Sequence, residues 1–325
     1  MSMKEIGGYL ELDNYNLPML HDDAIALNSA RNCLALLIRK KQIKQIYVPK
    51  FLCKSVSDIC LKENVEVVYY SIGVDFLPIE LQLPKKSWIY IVNYYGQLSN
   101  CVLSQLRKKY ENIIIDNVQA FFQEPIKDID TIYTCRKFFG VSDGAFLYSD
   151  ISLDEPLDTD ESLTRLAYLF GRYEKSASDF YSEYLKQEKL IASMPVRRMS
   201  KLTNNLLHGI DYQFAKDRRT QNFKYLYERL GKINKLKIKL IKGAYMYPLY
   251  IKNGDKIRAK MHREKIYIAT LWPDTFLICK EDELEYDMAK NILPIPVDQR
   301  YTVSDMEYIV KKIKEITETL SLHTG

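Results

Sequence analysis

Apolar residues recur at helical spacing over 24–41, and a short apolar run then follows at 45–48 and stops at Pro49. The spacing predicts a helix leading into a strand. A helix over 53–63 and a strand over 65–71 come next, then a strand at 88–92, a helix at 102–110 and strands at 112–115, 131–133 and 145–149. Strands alternating with helices predict an α/β fold whose mostly parallel sheet is flanked by helices. The near-continuous apolar runs at 88–93 and 113–116 suit strands buried on both sides, and ligands of such sheets sit beyond the strand carboxyl ends. The loops that follow the strands are therefore the places to look for chemistry.

An acidic stretch over 150–161 reads as a solvated linker, and two long helical stretches follow at about 162–190 and 200–230. After Gly231 the texture changes to short strands, expected at 235–240, 244–251, 265–270 and 275–279. A proline-punctuated segment at 293–301 and a helix from about residue 304 close the chain. These patterns predict a large domain over 1–230 and a small α+β domain over 231–325.

Composition narrows the function classes. A chain of 325 residues with 47% hydrophobic content has the makings of a large core. Its net charge of +5, from 47 basic and 42 acidic residues, is spread along the length without a basic stripe, so nucleic acid is not an expected partner. Neither the six scattered cysteines nor His21, His208, His262 and His323 form a metal-ligand pattern, and no CxxC pair points to a disulfide framework. A reduced, cytoplasmic protein is the expectation. No run of eighteen apolar residues and no leader-like N-terminus are present, so no membrane span is expected.

Three segments could carry chemistry. In TIYTCRKFFGVSDGA a short apolar strand ends at Thr134, Cys135, Arg136 and Lys137 before a glycine turn. A lysine there is either a surface charge or, if partly desolvated, a nucleophile toward aldehydes, and Arg136 beside it favours the second. In NIIIDNVQA, Asp116 closes a buried strand, where its charge calls for a cation such as a protonated pyridine nitrogen; a helix N-cap is the equal alternative. In LNSARNCLALLI, Ser29, Ala30, Arg31 and Asn32 open a helix whose first amides and dipole favour an anion. Ser29 serves there either as a plain cap or as a phosphate ligand, and Arg31 adds a forked phosphate donor.

Together these segments resemble, in order along almost the whole chain, the DegT/DnrJ/StrS family of pyridoxal-phosphate-dependent sugar aminotransferases of fold type I. SARNCL stands where that family has SGTxAL, with Arg31 replacing the threonine. VNYYGQ resembles its VHLYGQ, and DNVQA its DAAQA. RRMSKLTNNLL and LPIPVDQRY resemble its RMS and closing segments. The resemblance implies pyridoxal 5'-phosphate as cofactor, carried as a Schiff base on Lys137. It further implies that Asp116 meets the ring nitrogen and Gln119 the ring hydroxyl, with Val118 alongside. Thr134 and the 29–32 turn would lie at the phosphate.

An amino donor such as glutamate, a keto sugar linked to a nucleotide, a role in polysaccharide or amino-sugar biosynthesis and a homodimer are implied likewise. Two departures stand out. Cys53 occupies the place of an aromatic ring that would cover the cofactor face, with Phe51 as the nearest substitute, and Val196 replaces an asparagine donated across the dimer. They leave room for an enzyme of the same fold acting on a non-sugar substrate, or for a binding protein without turnover.

Overall fold

The computed structural model describes residues 6–153 and 156–322; Asp154 and Glu155 of the acidic stretch, and His323, lie outside them. In chain order the elements are β1 (Ile25–Leu27), α1 (Ala30–Lys40), β2 (Gln45–Pro49), α2 (Lys54–Lys62), β3 (Glu66–Tyr70), β4 (Trp88–Val92), α3 (Asn100–Lys109), β5 (Asn112–Asp116), β6 (Asp130–Thr134) and β7 (Ala145–Tyr148). Then come α4 (Ala167–Glu174), α5 (Tyr181–Ser193), α6 (Lys201–Leu207), α7 (Tyr212–Leu230), β8 (Met246–Tyr250), α8 (Gly254–Arg263), α9 (Thr275–Ile278), α10 (Leu284–Asn291), β9 (Ile292–Pro296) and α11 (Val303–Leu322).

Among the described residues seven strands make one sheet in the order β1-β7-β6-β5-β4-β2-β3, and β8 and β9 make a second. Strands β2 to β6 pair in parallel, while β7 runs antiparallel to both β6 and β1. This is the mostly parallel sheet that the alternating pattern predicts. Its central strands bury Ile89, Ile91, Ile113, Ile114, Ile115 and Ile132, which explains why they read as unbroken apolar runs. Register brings Leu27, Thr134 and the start of β7 at Ala145 to one edge, with Val92 and Asp116 beside them. The ends of β1, β4, β5 and β6 thus open onto a common crevice.

Several predicted elements differ. The helix expected over 24–41 is a strand, β1, followed by α1, because β7 offers Ile25–Leu27 a hydrogen-bonding partner and Ser29 turns extended (φ −157°) to cap the helix. The stretches at 162–190 and 200–230 each break into two helices, the second break set by Gly209 and by Asp211, whose carboxylate caps α7 by accepting from the Phe214 amide at 2.8 Å. Asp160 of the expected linker is buried, paired with Arg165 at 2.8 Å, so that end of the stretch is part of the core.

Beyond Gly231 the predicted strands at 235–240 and 265–270 are irregular, because side chains instead of strand edges meet their backbone. The Gln97 amide bonds both the N–H and the carbonyl of Lys239, and the His262 ring sits against the backbone of Ile268. Residues 275–278 form the helix α9. The proline-punctuated segment does contain a strand, β9. Pro294 faces Pro248 and Pro296 faces Met246, two places apart, which puts every proline at a non-hydrogen-bonded position of the ribbon. A C-terminal core gathers around this ribbon, Met306 and Ile313, and takes in Phe223, Leu226 and Leu230 of α7. Among the described residues no helix is long and apolar enough to cross a membrane.

Candidate active site

Asp116 is the last residue of β5 and is almost wholly buried. One carboxylate oxygen accepts from the Tyr90 hydroxyl at 2.8 Å and the other from the Val118 amide at 2.9 Å. The second bond closes an Asx turn. No helix starts there, since β6 is the next element, so the N-cap alternative falls away. No cation comes within ion-pairing distance of Asp116 among the described residues. Burial pushes its carboxyl above the usual value, opposed by Lys137, the Val118 amide and the Tyr90 hydroxyl.

Lys137 lies three residues past the end of β6, in the turn that leads to Gly140. Its side chain is partly exposed, but the protein packed around its amine strips away much of its hydration. That crowding lowers its pKa, and Asp116 and Cys53 oppose the shift while Arg31 and Arg136 reinforce it. The Nζ also lies 5.7 Å from the centre of the Tyr245 ring. The fold therefore gathers near one amine, beside its neighbour Arg136, four residues from distant segments: Arg31, Cys53, Asp116 and Tyr245.

The turn before α1 has donors that could meet an anion. Ser29 caps the helix by accepting from the Asn32 amide at 3.2 Å, and the helix leaves the Ala30 and Arg31 amides without partners inside it. The Nε of Arg31 is buried with no hydrogen-bond partner. An unsatisfied guanidinium nitrogen at a helix N-terminus suits a phosphate. At the other end of the crevice a buried carboxylate without a counter-ion suits a ring nitrogen that carries a proton. The residues present thus fit pyridoxal phosphate: Arg31 and the start of α1 for the phosphate, Asp116 for the ring nitrogen and Lys137 for the aldehyde.

The other predicted residues also make contacts within the protein. Asn32 turns its amide inward to Asn28 at 2.7 Å and to the Pro195 carbonyl at 2.8 Å, fixing the turn from behind. Thr134 donates to the Gly144 carbonyl at 3.1 Å, tying β6 to the loop before β7. Gln119 is buried and accepts from the Tyr95 amide at 2.7 Å, while Val118 is buried beside it. Cys53, at the N-terminal boundary of α2, is exposed toward the crevice, and Ser55 donates to its sulfur at 3.1 Å. Phe51 cannot replace a covering ring, because it is locked in the core against Tyr94 and Trp272. Tyr90, Tyr245 and Arg219 had no local signal: each reaches the site through contacts between distant segments.

By sequence, neither a family model nor a curated protein matches the chain. Solved structures do. The sugar aminotransferase CalS13 from Micromonospora echinospora aligns with a TM-score of 0.62 at 13% identity, covering 90% of this chain and 87% of that one. The chain has the aminotransferase fold. NtdA from Bacillus subtilis, solved with bound cofactor PMP, matches at 0.62 and 12% identity over 91% of this chain and 73% of its own. A DegT DnrJ EryC1 StrS aminotransferase from Brucella abortus matches at 0.57 and 14% over 90% and 85%. In this aminotransferase fold the crevice at the strand ends is where Lys137, Asp116 and Arg31 converge.

Proposed function

We propose that the protein is a pyridoxal-phosphate-dependent aminotransferase that moves an amino group from an amino acid such as glutamate to a keto sugar linked to a nucleotide. The observation that carries the reading is the convergence of Lys137, Asp116 and Arg31, 21 and 85 residues apart in sequence from Asp116, on the crevice of an aminotransferase fold. The sugar is favoured by the solved neighbours, among them CalS13, a sugar aminotransferase. We further propose two domains, 1–230 and 231–325, a cytoplasmic setting, and a homodimer with each site near the subunit interface.

When bound, pyridoxal phosphate supplies an electrophilic aldehyde and a cationic ring that draws electrons from the reacting carbon. The protein does the rest. Arg31 and the α1 amides bind the phosphate. Asp116, held by Tyr90 and Val118, keeps a proton on the ring nitrogen. Lys137, its proton affinity lowered by crowding and by Arg31 and Arg136, attacks carbonyl carbon. Once released, the same Nζ takes a proton from the donor's α-carbon and returns one to the acceptor.

The test is reductive fixation. With pyridoxal phosphate and borohydride, wild type should gain one cofactor mass, mapped by peptide mass spectrometry to Lys137, and Lys137→Ala should gain none. A wild type that fixes no cofactor at Lys137 defeats the reading. The missing ring at Cys53, with Phe51 locked away, favours a second reading in which cofactor is held without amino transfer. Release of 2-oxoglutarate from glutamate in a single turnover separates the two.

A further inference from the structure

The carbonyl of Phe138, one residue past Lys137, accepts two side-chain hydrogen bonds from segments far along the chain. Arg219 of α7 donates from Nη2 at 3.0 Å, and Gln299 donates from Nε2 at 2.8 Å. The two donors are joined, because the Arg219 Nε–H also reaches Gln299 Oε1 at 2.8 Å. A closed triangle of three hydrogen bonds therefore grips the backbone beside the reactive lysine.

Arg219 does more than close this triangle. Its Nη1 donates to the Ala244 carbonyl at 3.1 Å and, more weakly, to that of Tyr245 at 3.4 Å, and its guanidinium lies 4.6 Å from the centre of the Phe138 ring. It is one of the largest fully buried side chains, and no carboxylate pairs with it among the described residues. A buried guanidinium with no carboxylate at ion-pairing distance is costly to keep, and burial, opposed by the more distant Asp298, brings its pKa down to about 10. One turn further along α7, Asn222 donates to the carbonyls of Val297, Asp298 and Tyr301, pinning the segment that carries Gln299.

We propose that Arg219 and Gln299 are positioning residues that hold Lys137 and Tyr245 in fixed relation, so that the segment 297–301 sets the reactivity of the lysine. This role presupposes that Lys137 is the reactive amine of the proposed function. Arg219 binds the residue after the lysine and the residue whose ring faces its Nζ through a single rigid fork. Gln299 adds a restraint from the C-terminal part of the chain. Released from this grip, the Lys137 amine would swing out of the crowded space shared with Arg31 (α1), Cys53 (before α2), Asp116 (β5), Arg136 and Tyr245, and would regain water.

Gln299 is only half-buried, so Gln299→Met should fold. The experiment is competitive acylation of every lysine in the full chain, without cofactor, as a function of pH, read by peptide mass spectrometry. For Gln299→Met the Lys137 midpoint should rise by about one pH unit, and its labelling rate near neutral pH should fall about tenfold. Lys41, held by Asp130 and Asp150, should keep its wild-type rate. An unchanged Lys137 midpoint overturns the proposal, and so does an equal change at Lys41, which would mark a general loosening. If Gln299→Met does not fold, Gln299→Asn, which is uncharged and too short to hold both Arg219 and Phe138, is held to the same two outcomes. Borohydride fixation of the cofactor on wild type is read separately: its failure defeats the proposed function and leaves the clamp measurable.

Discussion

The hydroxyl of Tyr90 donates to the carboxylate of Asp116 at 2.8 Å, across two adjacent parallel strands. Tyr90 sits two residues before the end of β4 and Asp116 at the end of β5, so the sheet itself aims the donor. The pair is fully enclosed, and the tyrosine's own ionisation is pushed well above its usual value by burial and by the neighbouring carboxylate. Tyr90 therefore remains a donor at every working pH and stabilises the Asp116 charge on which the proposed ring-nitrogen contact depends. Tyr90→Phe should weaken pyridoxal phosphate binding several-fold and cost about 1 kcal/mol of stability, as for the loss of one buried hydrogen bond. Fluorescence titration with the cofactor and urea unfolding would measure the two effects.

The proposed phosphate contact of Arg31 can be tested apart from ring recognition. Its buried, unpartnered Nε should find its acceptor on the cofactor phosphate. Arg31→Met should weaken pyridoxal phosphate by about 1.5–3 kcal/mol, the range for a hydrogen bond to a charged group. Affinity for pyridoxal, which lacks the phosphate, should stay at the wild-type level. Equal losses for both ligands would show that Arg31 does not meet the phosphate.

The enclosed Asp116 makes a pH signature. Its folded-state pKa is raised above the ordinary carboxyl value of 3.8, so the folded chain binds this proton more tightly than the unfolded chain does. Stability from this group is full below 3.8 and is lost as pH climbs through the raised value. Asp116→Asn, without that titration, should unfold like wild type at the acid end and become the more stable protein above the raised pKa. Urea midpoints across the acid-to-neutral range would show the gap opening, while cofactor fixation at Lys137 should fall at neutral pH. A gap that closes with rising pH contradicts the assignment.

Asp160 and Arg165 form a buried pair at 2.8 Å, with almost no exposure on either side. The same carboxylate lies 3.7 Å from Arg197 and accepts weakly from Asn28 at 3.4 Å, which links it to the turn before α1. Arg165→Met should destabilise by about 3–5 kcal/mol by leaving a buried charge without its main partner. Asp160→Asn with Arg165→Met should cost less than the two single changes added together. Urea unfolding of the three variants closes the cycle.

Gly144 holds φ +115°, and a Cβ there would stand 2.3 Å from the Cys135 sulfur. Gly144→Ala should therefore destabilise by about 1–3 kcal/mol and disturb the Thr134 bond to the Gly144 carbonyl. Thermal unfolding would register the loss.

The sequence by itself determined the parallel core, because strands buried on both faces must be apolar throughout and must be joined by helices. It also placed Asp116 at a strand end and Lys137 in the turn after one, since a charge that closes an apolar run is visible in a single segment. The order of Ser29, Arg31, Asp116 and Lys137 was legible in the same way. Only the tertiary structure decided that Ile25–Leu27 is an edge strand, that 235–240 and 265–270 are irregular, and that Asp160 is buried. It alone brought Tyr90, Tyr245, Arg219 and Gln299 to the site. The physical reason is the same in each case. These outcomes depend on hydrogen bonds between side chains and backbone far apart in sequence, as between Gln97 and Lys239 or Gln299 and Phe138, and no local period of hydrophobic and polar residues records such partners.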